Sequence, residues 1–231
     1  TTLDGGDGVD TITISSTGAV ILPTAIAFER YFISDSVHQS LDFSASPNVN
    51  TVELDSGTTI DGAVITTTLG NNQALVLDGI IDGDTAAATL SDGGIVIQQA
   101  SDITSLNLTL DDVGPASSTP NENVFIDIAG TGVTTANVTS GNDSFVVLSN
   151  SGNSLTSLEL FGTGSMALGT LPTSVTNING TAASANLTLT IGSSGSNVIK
   201  GGIGNDAITL AGGINDVDLG AVSYPENSGC Q

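Results

Sequence analysis

The chain has 231 residues, with 24 acidic side chains against only Arg30 and Lys200, a net charge of −22. That balance excludes nucleic acid as a partner, because phosphate contacts need clustered Lys and Arg, and it disfavours direct adhesion to an anionic membrane. No stretch approaches the roughly 18 apolar residues of a spanning helix, so membrane insertion is not expected. Disorder is excluded too, since 39% of residues are hydrophobic and alternate with Thr, Ser and Asn in short runs.

The first element is a glycine turn. Gly5-Gly6-Asp7-Gly8-Val9-Asp10-Thr11-Ile12-Thr13 fits the nonapeptide G-G-x-G-x-D-x-U-x, with Ile12 as the large apolar residue. Such a turn offers backbone carbonyls and a carboxylate, an all-oxygen set that selects Ca²⁺. One turn supplies half a site, because the ion takes about six to eight oxygens and the rest must come from the next coil. Downstream, Phe28, Tyr31 and Phe32 form the densest aromatic cluster in a chain that is 3% aromatic, and they are expected to cap an end of the fold or plug its core, with a binding surface as the alternative. His38, the lone histidine, reads as a surface polar residue.

From residue 40 the pattern is rhythmic. Short alternating runs occur at 40–44, 51–55, 63–68, 74–77, 87–90, 95–98, 105–110, 124–129, 134–139 and 144–148, most of them bounded by Gly, Asn, Asp or Ser. Strands at this spacing predict an all-β fold, and the regular pitch predicts a parallel β-solenoid in which coils of about twenty residues stack on one another. Val and Thr at alternate positions suit it, with apolar side chains turned inward and hydroxyls outward. No long amphipathic helix is present. Residues 1–222 are expected to form one elongated solenoid and 223–231 a terminal tail. The segment 111–123, with Pro115 and Pro120, reads as a loop inserted between coils or a boundary between subdomains.

Gly141-Asn142-Asp143-Ser144-Phe145 repeats the second half of the nonapeptide, which makes Asp143 a candidate ligand. Three further runs at 154–160, 165–169 and 174–179, then 185–191, lead without interruption to a second full match, Gly201-Gly202-Ile203-Gly204-Asn205-Asp206-Ala207-Ile208-Thr209. Nine residues upstream, Gly192–Lys200 repeats the frame, with Asn197 aligned to Asp206. Beyond it, Asp216 and Asp218 remain candidate ligands. Cys230 is the only cysteine, so no disulfide framework exists and metal is the expected staple.

The two full nonapeptides resemble those of RTX-type secreted bacterial proteins, and the Thr, Val, Asn and Gly-rich filling between them is similar to Gram-negative surface-layer proteins and large calcium-dependent adhesins. The resemblance implies export by type I secretion, folding on Ca²⁺ outside the cell at the bacterial surface, and assembly with copies of itself into a lattice or filament. It implies Asp10 and Asp206 as side-chain ligands, with the carbonyls of Gly6, Gly8, Gly202 and Gly204 beside them, and Asn197 as a weaker partner in the paired site. The chain has far fewer tandem repeats than toxins and proteases of that group. That departure suggests one segment of a longer protein or assembly. A structural role is expected, with an adhesin or carbohydrate-binding module contacting surface polysaccharide as the alternative. An enzyme is not expected: one acting on acidic polysaccharide would need more than two cationic side chains.

Overall fold

In the computed structural model, residues 2–15, 20–34, 40–46, 48–55, 59–60, 64–82, 93–99, 102–114 and 123–220 are described. They form the expected all-β parallel solenoid, and no helix occurs among them. Nearly every coil contributes one strand to each of two parallel sheets. Sheet I has ten strands in simple chain order: Thr11–Ser15, Arg30–Ser34, Thr51–Leu54, Ala74–Asp78, Ser105–Asp111, Thr135–Ser140, Ser157–Gly162, Asn177–Ala183, Asn197–Lys200 and Asn215–Asp218. Sheet II has eight, from Leu41–Asp42 through Val64–Leu69, Gly94–Gln99, Val124–Ile128, Ser144–Ser149, Met166–Thr170 and Leu187–Thr190 to Ala207–Thr209. Two short pairs, Thr2–Asp4 with Thr24–Ile26 and Thr59–Ile60 with Ile81–Asp82, complete the pairing.

The alternation along each strand explains the stacking. In Thr135–Ser140 every second residue, Ala136, Val138 and Ser140, is buried while its neighbours face out. Register then aligns inward residues from coil to coil: Ile12, Tyr31, Val52, Leu75, Leu108, Val138 and Leu160 form one continuous apolar ladder through sheet I. From sheet II, Ile65, Ile95, Ile126 and Leu148 run opposite. Burial of these ladders supplies the driving force, and a one-residue slip of any strand would turn its inward set to solvent.

Coil length is less uniform than the sequence suggests. Facing residues are 18 apart at Asn197 and Asn215, 20 at Glu159 and Asn179, 22 at Asp143 and Ser165, and 30 at Asn107 and Asn137. The corners absorb most of the difference. Of the aromatic cluster, only Tyr31 is a core plug: it is fully buried and its ring lies 5.1 Å from that of Phe43. Phe28 packs against the core from the margin, and Phe32 faces outward beneath the Arg30 guanidinium, 5.7 Å from its ring centre. Asp111 through Gly114 belong to the coil rather than to a loop, since Val113 is buried and its carbonyl accepts from Phe145 N. Residues 115–122, the run at 87–90, His38 and the tail from 221 lie outside the described residues.

Candidate metal centre

Two corners alternate along the axis. The chain passes from sheet I to sheet II at one and returns at the other, so consecutive nonapeptides fall on opposite sides of the solenoid. Gly201–Asp206 leads out of the sheet I strand Asn197–Lys200 into Ala207–Thr209, whereas Gly192–Ser196 leads back into sheet I. This corrects the expected pairing of Asn197 with Asp206. Across the coil, Asn197 faces Asn215, and Asp206 is bonded to Leu187, 19 residues away. Nine residues complete half a coil, and same-corner neighbours are a whole coil apart. For the same reason the two full motifs do not share a corner: Gly5–Asp10 leads into sheet I, and Gly201–Asp206 leads out of it.

At the return corner, Asp10 Oδ2 is buried and has no hydrogen-bond partner, although its own N–H donates to Glu29 Oε2 at 2.8 Å. Gly6 and Gly8 have φ of 85° and 134°, the left-handed region that glycine alone enters at little cost, so the turn needs them. An orphaned carboxylate oxygen inside such a turn fits a cation. Asn197 is 1% exposed and is used differently: Nδ2 donates to the carbonyl of Gly195 at 3.1 Å and to Asn215 Oδ1 at 2.7 Å, while Oδ1 has no partner. There an amide nitrogen meets the carbonyls that a metal would otherwise gather.

At the exit corner, both oxygens of Asp206 accept backbone N–H groups, Oδ1 from Leu187 at 3.0 Å and Oδ2 from Gly202 at 2.9 Å. The residue thus clips its own turn to the coil below. Gly202 and Gly204 are glycines here for contact rather than for φ. A Cβ on Gly202 would lie 2.3 Å from the Ala183 carbonyl oxygen, and one on Gly204 2.5 Å from the Ala185 backbone. Asp143 also occupies this corner, where its Oδ1 accepts from Ser165 N at 2.8 Å. The ladder sets it level with Asn205, one position out of the expected alignment with Asp206, because Ser144 faces Met166, Leu187 and, in turn, Asp206. Asp216 and Asp218 point outward from the last sheet I strand, Asp218 facing Lys200.

A denser acidic group stands further down the exit corner. Leu54, Leu77 and Leu110 are consecutive rungs of one inward ladder, and the residue after each is an aspartate turned outward: Asp55, Asp78 and Asp111. Glu53 lies on the same outward face, almost fully buried. Oxygens of Glu53, Asp55 and Asp78 all lie within 4.8 Å of one another. Two oxygens bound at about 2.4 Å on opposite sides of one Ca²⁺ stand about 4.8 Å apart, so the three can share an ion. Burial, then the charges of Asp111, Asp55 and Asp112, holds the Asp78 carboxyl above its ordinary range. Arg30 pairs with Glu53, the one ion pair among the described residues. Asp111 Oδ1 accepts from Asn142 Nδ2 at 2.6 Å. The all-oxygen, anionic donor set suits a hard divalent cation and does not by itself distinguish calcium from magnesium.

No nonapeptide marks this column, because its members are separated by whole coils. The signal is a Leu-Asp pair at the end of three successive strands of sheet I: Leu54-Asp55, Leu77-Asp78 and Leu110-Asp111. Comparison with protein-family models, curated proteins and solved structures finds no match to this chain.

Proposed function

We propose that the chain is a secreted structural protein of the bacterial cell surface, a solenoid whose coils are clamped by divalent cations, calcium foremost, and which assembles with copies of itself into a layer or filament. The observation that carries the reading is the in-register column Asp55, Asp78 and Asp111 with Glu53 beside it. Like charges on adjacent strands oppose the pairing that aligns them, and a bound cation reverses the sign of that contribution. The orphaned oxygen of Asp10 supports a second cation position at the opposite corner.

Self-association rests on the ends of the ladder. Thr11–Ser15 and Asn215–Asp218 are the first and last strands of the same sheet among the described residues. Outermost strands of equal polarity allow coaxial continuation of one sheet from copy to copy. Both ends are acidic, at Asp4, Asp7 and Asp10 on one side and Asp216 and Asp218 on the other, so stacking is expected to need cations.

Negative-stain electron microscopy of the purified chain tests this. Ordered arrays or filaments are expected with millimolar calcium and their dispersal after chelation; discrete particles under both conditions would contradict assembly.

A further inference from the structure

On the outer face of sheet I lies a groove of about 540 Å³ whose lining contains no charged side chain, although the chain carries a net −22. Ala74 leaves a notch at one end, and Phe161, a large apolar side chain 36% exposed, stands at the other. Between them Asn107 faces Asn137, and Thr109 faces Thr139. The two amides are already oriented: Asn137 Nδ2 donates to Asn107 Oδ1 at 2.8 Å and to Ser105 Oγ at 3.1 Å. That leaves Asn137 Oδ1 as an acceptor and Asn107 Nδ2 as a donor, with two hydroxyls that serve as both.

We infer that this groove binds a neutral oligosaccharide laid along the stacking axis. Four features select that ligand. Sugar hydroxyls donate and accept at once, which matches amides and threonines and would be wasted on a ligand of one polarity. The Phe161 ring offers an apolar face for the C–H side of a pyranose, with Ala182 on the neighbouring strand leaving it uncovered. Two successive coils repeat the same pair of side chains, Asn107 with Thr109 and then Asn137 with Thr139, about 4.8 Å apart, so a chain with a regular hydroxyl repeat meets equivalent partners at two steps. Finally, the surrounding negative field repels polyanions and gathers cations at the acidic corner instead. An extended peptide is not favoured, because peptides added to sheets bind free backbone edges, and here both flanking strands are already paired.

Isothermal titration of the intact chain with cellohexaose, maltohexaose and the fully N-acetylated chitohexaose, with polygalacturonate as the anionic comparison, tests the inference. Saturable binding of at least one neutral hexasaccharide is expected. Phe161→Ala should weaken it roughly three- to tenfold, and the Asn107→Ala, Asn137→Ala double variant about tenfold or more. Thr139→Val, close in shape, should weaken it without changing the melting temperature. Failure of all three neutral sugars to bind, preference for polygalacturonate, or equal affinity in folded variants overturns it.

Discussion

Replacing Asp78 with Asn removes the middle charge of the acidic column and keeps the shape of the side chain. Its oxygen lies within 4.8 Å of one on Asp55, and Asp111 faces it across the next strand pair. Two unit charges at that distance repel by about 0.9 kcal/mol in water and about 3.5 kcal/mol at an effective dielectric of 20. The corner is open to solvent and salt, so the lower figure governs, about 1 kcal/mol per neighbour. Without divalent ions, D78N should therefore be about 1–2 kcal/mol more stable than the parent at neutral pH, a rise of roughly 3–6 °C in melting temperature for a chain of this size. Calcium should reverse the order. A ligand at a hundredfold excess over its Kd stabilises by about 2.7 kcal/mol, and the variant lacking the central carboxylate should gain little of that. The pH dependence carries the same signature. The Asp78 pKa is raised in the folded chain, first by burial and then by its acidic neighbours, so this group's contribution to stability is fully present below its unfolded pKa and is lost as pH rises through the folded one. Chelated parent should thus gain stability from this group on mild acidification, and D78N should not. Thermal melts of both proteins in EDTA and in calcium across that range decide the matter. A variant less stable than the parent in EDTA, or an equal calcium increment in both, would refute the reasoning.

Two further substitutions probe the corners. Gly162 has φ of 106°, and a Cβ there would lie 2.1 Å from the Ser140 carbonyl oxygen, so Gly162→Ala should cost about 3 kcal/mol or more; an unchanged melting temperature would contradict the close coil contact. Asp206→Ala leaves the Leu187 and Gly202 amides without their acceptor, a loss of about 2–3 kcal/mol, read as faster hydrogen exchange at those two amides while the central coils stay protected. If that loss appears only with calcium present, Asp206 acts as a ligand; if it persists after chelation, it acts as a clip.

The architecture was legible because it depends on period two. Runs such as Ser105–Leu110 and Val124–Ala129 show which residues turn inward, and the ladders follow once coils stack. What the nonapeptides did not reveal was which turns become neighbours. A nine-residue repeat reads as adjacency along the chain, yet Asn197 and Asp206 sit on opposite corners because a coil takes two such units. Asp143 slipped by one position for a related reason: without leading glycines, nothing local fixes where its turn begins, and the register is set by the buried Ser144 and Val146 that follow. The acidic column was hidden differently. In the sequence Asp55 and Asp78 stand alone at the ends of separate runs and Asp111 opens the segment 111–123, and only the ladder of Leu54, Leu77 and Leu110 brings the three together.

The two corners solve one problem by different chemistry. Every coil of a solenoid leaves carbonyls at its turns that the sheets do not satisfy, and something must hold each turn to the next. At the return corner neutral amides do much of this. Gln73, 3% exposed, accepts from Gly70 N and donates to the carbonyls of Phe43 and Ser46; Asn150 donates to Ile128 O and accepts from Leu155 N; Asn197 bridges Gly195 and Asn215. The Gln73 and Asn150 clips use both the donor and the acceptor of the amide within the chain and should be indifferent to ions, whereas Asn197 leaves its Oδ1 without a partner. At the exit corner the corresponding positions are carboxylates, which accept but cannot donate, so a stacked pair cannot bond to itself. Where a backbone N–H is in reach, as at Asp206 and Asp143, the carboxylate becomes a clip as well. Along Asp55, Asp78 and Asp111 carboxylate stands beside carboxylate, and although Asp111 also accepts from Asn142, a cation is what would turn those carboxylate contacts into bonds. The consequence is a molecule whose return corner is held largely by its own amides and whose exit corner is where divalent ions would tighten the fold most, at the coils that carry Asp55, Asp78 and Asp111.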